Sequence, residues 1–270
     1  MKKHILLTLL LSLPLLYSCS DEIPYGERYE DLPSVDVKRS ILLEDFTGQF
    51  CSNCPDAHQV ISDLQELYGN HLIAVAIHAG HFGIAEDSNP NFVGLMQPEG
   101  NTYATHWGVE AYPAGIINRT SGLLKHTEWA AYARQTLVEE AMIDIQLDCK
   151  ITADSTMIYI NTMISSNMEE MKGNKLQLWV TESNINAVQQ HGGTLNLNYL
   201  HNHVYRASVN GLWGEEANIP YSNVHYIPLH ENWDIENLSV VAFVYNDTDG
   251  VLNVTEQSNI PIQTFNTQQQ

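Results

Sequence analysis

Leu42-Leu43-Glu44-Asp45-Phe46-Thr47-Gly48-Gln49-Phe50-Cys51-Ser52-Asn53-Cys54-Pro55 is the stretch on which the reading of this chain turns. Ser40 to Phe46 is a short, largely apolar run, the pattern of a buried strand. Thr47 to Phe50 turn the chain into the cysteines, and Pro55 suits the first turn of a helix. From Ala57 to Tyr68 the apolar Val60, Ile61, Leu64 and Leu67 recur at three and four residues, which predicts an amphipathic helix ended by Gly69-Asn70. Leu72 to Ile77 is a second buried strand. The order strand, helix, strand predicts a βαβ unit with parallel strands.

This setting gives the Cys51-x-x-Cys54 pair its chemistry. Unsatisfied N–H groups at a helix N-terminus favour an anion, so a Cys51 thiolate is stabilised there. Cys54, one turn further in, is expected to be more buried and placed to resolve a mixed disulfide on Cys51. Zinc sites use the same spacing. A zinc reading needs two more ligands, and with no second Cys-x-x-Cys the histidines would have to supply them. A fixed structural disulfide is the other alternative.

The chain has 270 residues, 44% of them hydrophobic, enough for one large or two modest domains. Its 32 acidic residues against 12 Lys plus Arg give a formal net charge of −20. That argues against nucleic acid as a partner, since phosphate binding needs a basic surface. Lys2-Lys3 followed by apolar Ile5 to Leu16 is shorter than the ~20 residues of a membrane-spanning helix and reads as a secretory signal over residues 1–18. Leu16-Tyr17-Ser18-Cys19 resembles a bacterial lipobox, which makes Cys19 the lipidated first residue of the mature chain; plain secretion is the alternative. Residues 19–38 are acidic and polar and read as a tether.

Further on, Tyr112 to Arg119 reads as a proline followed by a third strand. Gly122 marks a hairpin, Thr127 is a cap candidate, and Glu128 to Met142 reads as a long helix. The texture changes near residue 143. Ile143, Ile145, Leu147 and Cys149 alternate with polar residues, and strand-like runs follow at 157–164, 176–181, 202–208, 225–229 and 238–245. With no strong helix between them, these runs predict an antiparallel sandwich. His78, His81 and His106 read as loop histidines, with a metal site as the alternative. His201 and His203 alternate on one expected strand face, and Cys149 reads as an inert buried thiol.

The strand, turn and helix around Phe50-Cys51-Ser52-Asn53-Cys54-Pro55 resemble the active-site region of thioredoxins. The resemblance implies that Asp45 is a buried acid assisting proton transfer from Cys54, and that Tyr112-Pro113 is a cis-proline loop facing the cysteines and holding a substrate strand. The wider strings Leu42 to Pro55, Tyr112 to Arg119 and Tyr199-Leu200-His201-Asn202-His203-Val204-Tyr205-Arg206 are similar to the outer-membrane lipoprotein family of Bacteroidetes-type bacteria named for its twenty-eight-kilodalton member. That similarity implies an α/β thioredoxin-like domain (39–142), an all-β antiparallel, immunoglobulin-like sandwich (143–263) and a polar tail (264–270).

The function expected from these readings is thiol-disulfide exchange on envelope or surface proteins, with Cys51, Cys54 and Asp45 catalytic and Tyr112 and Pro113 binding substrate. No cofactor or metal is expected beyond a redox-active Cys51–Cys54 disulfide. The partners expected are protein thiols or disulfides of the envelope, and the membrane through a lipid on Cys19. The rival reading is a surface adhesion or binding lipoprotein that uses the scaffold without redox turnover.

Overall fold

A computed structural model describes residues 35–264 apart from 87, 89 and 169. The signal segment, the lipidation of Cys19, most of the tether and all but the first residue of the tail lie outside the described residues. The described residues make one compact unit.

The first strand, β1 (Ile41–Thr47), is buried along its whole length. It leads through the cysteine turn into α1 (Cys54–Tyr68), with Pro55 in the first turn and Gly69 closing the helix. β2 (Leu72–His78) then pairs with β1 in parallel, Asp45 opposite Ala76. The expected βαβ unit is therefore present. α2 (Pro98–His106) and β3 (Ala114–Ile117) follow, β3 antiparallel to β1. α3 (His126–Leu137) ends before the expected Met142. Thr127 lies inside this helix; the N-cap is Lys125, whose backbone N–H donates to the Glu128 carboxylate at 2.8 Å. α1 and α3 pack on one face of β1 to β3, while α2 sends Tyr103 and Ala104 into the core on the other. Gly115 lets α3 come close, because a Cβ there would sit 2.6 Å from the Trp129 ring.

The remaining strands are β4 (Ile143–Ile151), β5 (Met157–Ser166), β6 (Lys175–Glu182), β7 (Ile185–His191), β8 (Thr194–His201), β9 (Val204–Ser208), β10 (Glu215–Glu216), β11 (Tyr221–Pro228), β12 (Leu238–Asn246) and β13 (Gly250–Gln257). They join the earlier strands in one eight-stranded mixed sheet ordered β13-β12-β6-β9-β2-β1-β3, with β10 beside β6. A second sheet, β11-β5-β4, and the β7–β8 hairpin complete the structure.

This overturns the expected fold class. A thioredoxin-like α/β domain followed by a separate immunoglobulin-like sandwich is not what forms. Strands from both halves share one sheet, and among the described residues three α-helices stand against thirteen strands. The junction is β9, which lies parallel to β2 with Val204 opposite Ala76; the Ala76 N–H donates to the His203 carbonyl at 2.8 Å. β6 and β12 explain why the sandwich pattern misled. Both are buried on nearly every residue, as central strands covered on two faces are. One face, with Leu176, Leu178, Val240 and Val244, packs against the second sheet through Ile145 and Ile160. The other carries Trp179, Val241 and Phe243 into a core that continues to Leu42 and Phe46 of β1.

A shared sheet predicts shared cooperativity. Phe243→Ala should cost about 3–5 kcal/mol and leave a single urea transition when tryptophan fluorescence and backbone circular dichroism are followed together. Two separated transitions would contradict the shared sheet.

Candidate functional site

The site is built at the turn from β1 into α1. Cys51 and Cys54 form a disulfide with Cα atoms 5.5 Å apart. Cys54 is fully buried and Cys51 is only 2% exposed. The Cys51 N–H donates to the Gly48 carbonyl at 3.0 Å, and the Phe50 N–H donates to the Phe82 carbonyl at 2.9 Å. Gly48 permits that second contact, since a Cβ there would lie 2.7 Å from Phe82.

The β7–β8 hairpin covers the turn. The Gln190 N–H donates to the Gln49 carbonyl at 2.7 Å. Gln189 Nε2 donates to the Cys51 carbonyl at 2.9 Å, and the Gly193 N–H reaches Ser52 Oγ at 3.4 Å. Gln49 is itself buried, donating to the Val93 carbonyl and accepting from the Leu95 N–H. The disulfide thus sits under a hydrogen-bonded cover. Along β8, Leu195, Leu197 and Leu200 are exposed.

Asp45 is fully buried on β1. Among the described residues neither of its oxygens has a hydrogen-bond partner. Burial alone pushes its pKa up to about 8, because a charged carboxylate loses hydration there. His58 Nε2 is 3.7 Å from Asp45 Oδ2. His58 stands four residues after Cys54, hence on the same helix face. Its ring is also 3.0 Å from Thr47 Oγ1 and, through Nδ1, 2.9 Å from the Tyr199 hydroxyl. Burial, with His201 and His203 adding to it, pushes His58 down to about 3. His201, opposite His78 at 5.3 Å between ring centres, is pushed down to about 4 by burial. His78 is held well below the usual imidazole range by burial first and by its neighbours second. It closes β2 and is buried, so it is not the expected loop histidine. His58, His78, Tyr199, His201 and His203 line a cleft of about 250 Å³ with Pro55 and Gln65. Among the described residues no group of three His, Cys, Asp or Glu is placed to hold a metal ion.

The Tyr112–Pro113 bond is cis. Tyr112 packs edge-on to Phe82 at 5.8 Å, and the Phe82 carbonyl holds the Phe50 N–H, so this loop adjoins the cysteine turn. Cys149 is a buried free thiol, pushed up to about 12 by burial and by Asp148.

A family model described as Outer membrane protein Omp28 matches residues 100–261. The chain belongs to this family. It is an outer-membrane protein on that ground, as the family resemblance implied; the matched span leaves out the cysteine turn. Among solved structures, HBP35 of Porphyromonas gingivalis is 16% identical with a TM-score of 0.64, over 88% of this chain and 80% of that one. A protein from Agrobacterium tumefaciens is 13% identical with a TM-score of 0.50, over 85% of this chain and 99% of that one. A domain of the outer membrane lipoprotein Omp28 from Porphyromonas gingivalis is 22% identical with a TM-score of 0.35, over 46% of this chain and 93% of that one. At these identities the likeness concerns the fold. No curated protein matches this sequence.

The geometry at Asp45 has a direct consequence for stability. The folded carboxyl keeps its proton up to about pH 8, whereas an unfolded aspartate keeps it only to about 4. The folded state binds the extra proton between these values, so stability from this group is complete below about pH 4 and falls as pH rises toward 8. Asp45→Asn should therefore be more stable than the native chain at pH 8, by an amount on the order of 1–3 kcal/mol, and this advantage should shrink toward pH 5. Urea midpoints at the two pH values measure it; a variant less stable at pH 8 would contradict the burial argument.

Proposed function

We propose that this outer-membrane protein exchanges disulfides with the thiols of other envelope proteins through Cys51 and Cys54, anchored by lipid on Cys19. The observation that carries the reading is Asp45. A buried polar group without a partner costs roughly 1–3 kcal/mol in proteins, and a purely structural disulfide has no use for one. A carboxyl that keeps its proton near neutral pH can serve a sulfur that gains and loses one.

In the oxidised chain a substrate thiolate attacks Cys51 Sγ. The Cys51–Cys54 bond breaks, Cys54 leaves as a thiolate, and Asp45 gives it a proton. A second substrate thiolate then attacks the substrate sulfur of the mixed disulfide and releases Cys51. The substrate loses two electrons and the Cys51/Cys54 pair gains them. The reverse sequence reduces a substrate disulfide, with Asp45 taking the Cys54 proton. The cis Tyr112–Pro113 loop beside the turn is suited to hold an extended substrate segment.

A second reading, a binding scaffold without turnover, draws support from the burial of Cys51 and the exposed leucines of β8. Trapping separates the two. The reduced Cys54→Ser chain should hold envelope proteins on Cys51 as mixed disulfides that dithiothreitol releases, and Cys51→Ser should hold none. If nothing is trapped and the purified native chain neither reduces nor oxidises a model disulfide, the exchange reading fails. Partner binding that survives loss of both cysteines would favour the scaffold.

A further inference from the structure

A proton held on Asp45 has to come from somewhere. The carboxyl is fully buried, and among the described residues neither of its oxygens has a hydrogen-bond partner. One side chain connects it to the outside. His58 has Nε2 3.7 Å from Asp45 Oδ2, Nδ1 2.9 Å from the Tyr199 hydroxyl, and its side chain is 18% exposed in the cleft between α1 and β8.

We propose that His58, oriented by Tyr199 and Thr47, passes protons between Asp45 and the solvent of this cleft. The inference rests on the exchange reading above and extends it to a residue that acts through Asp45, a positioning residue for the proton. Both hydroxyls can donate or accept, so the contacts allow the tautomer that the relay uses: with Nδ1–H donating to the Tyr199 oxygen, Nε2 accepts from Thr47 or from Asp45. When Nε2 takes the Asp45 proton, the Nδ1 proton leaves toward Tyr199 and the cleft; in the other direction the order reverses. A small rotation of either side chain closes the 3.7 Å gap, as hydrogen bonds at resting sites often tighten only during reaction.

The groups facing His58 from every side agree with a transient carrier. β1 presents Asp45 and Thr47; β8 presents Tyr199 and His201; His203 follows β8, and its ring is held at 3.1 Å by Gln65 of α1. His78 of β2 stands behind His201. Asp45 is the one acidic group among them, and the neighbouring imidazoles disfavour a lasting positive charge. His58 therefore hands a proton on rather than storing it.

The test reads the Cys54 step alone, without a protein substrate. Reduced full-length chain is treated with Ellman's reagent to place a thionitrobenzoate on Cys51. Cys54 then loses its proton to Asp45, attacks Cys51 Sγ and releases the coloured thiolate. In the native chain the release rate should rise with pH to a plateau near the Asp45 titration. His58→Ala should slow release at pH 7 by about 10- to 100-fold, and added imidazole, entering the emptied cleft, should restore part of it. Tyr199→Phe keeps the packing and should slow release by a smaller factor. A folded His58→Ala or His58→Gln chain that releases thiolate at the native rate across the pH range would overturn the proposal, as would a slow variant that imidazole does not rescue while Tyr199→Phe matches the native rate. If release depends on His58 but the native chain traps no protein, the relay stands and the exchange reading fails. If the native chain itself releases nothing, both fail.

Discussion

A carboxyl without a partner, buried at the end of a central strand, is the constraint around which this site is arranged. Asp45 lies between Glu44, whose charge is met by Nε and Nη2 of Arg119 at 3.1 and 3.0 Å, and Phe46, which enters the apolar core. The contrast between neighbours is instructive. Glu44 points to one face of the sheet and is neutralised by a bidentate ion pair. Asp45 alternates onto the other, where His58 Nε2 of α1 stands 3.7 Å from Oδ2 and neither oxygen has a hydrogen-bond partner among the described residues. The cheapest state for such a group is the neutral acid, and in the proposed exchange that acid is the proton store.

The sheet explains how that state is tolerated. β1 lies between β2 and the edge strand β3, with Asp45 opposite Ala76 on one side and Gly115 on the other, and the carboxyl is fully buried although the sheet ends one strand away. The same continuity brings the C-terminal half to the site. β8 precedes β9 directly, so pairing β9 onto β2 carries Tyr199, His201 and the hairpin tip over the cysteine turn. The second half of the chain is therefore part of the site: it supplies the cover over Cys51 and the hydroxyl that orients His58.

Much of the local structure was legible in the sequence. The stripe Val60, Ile61, Leu64 and the punctuation by Pro55 and Gly69 gave α1, and the apolar runs at 41–47 and 72–78 gave β1 and β2 in parallel. Cys51 and Cys54 form the turn after β1, the Tyr112–Pro113 loop reaches it through Phe82, and Asp45 lies on the strand that leads into it. What local pattern could not give was the partner of each strand. Leu238 to Tyr245 is apolar apart from Ser239, which signals burial on two faces, whereas the strands of a sandwich alternate. Val204 pairs with β2 across more than a hundred residues, and nothing in its neighbourhood announces that. Two signals were present and unused. Gly192-Gly193 between alternating runs is a hairpin turn signature, and both glycines have positive φ. His58 is one helical turn beyond Cys54, and so faces whatever Cys54 faces.

The central claim is that Asp45 is a neutral acid in the oxidised protein and is coupled to the Cys51–Cys54 pair. Carboxyl carbon NMR on chain labelled at aspartate, with Asp45→Asn used to assign the signal, measures this directly. The account predicts an Asp45 midpoint close to 8 in the oxidised chain and a different midpoint once the disulfide is reduced. A midpoint near the ordinary value of about 4, unchanged by reduction, would contradict it.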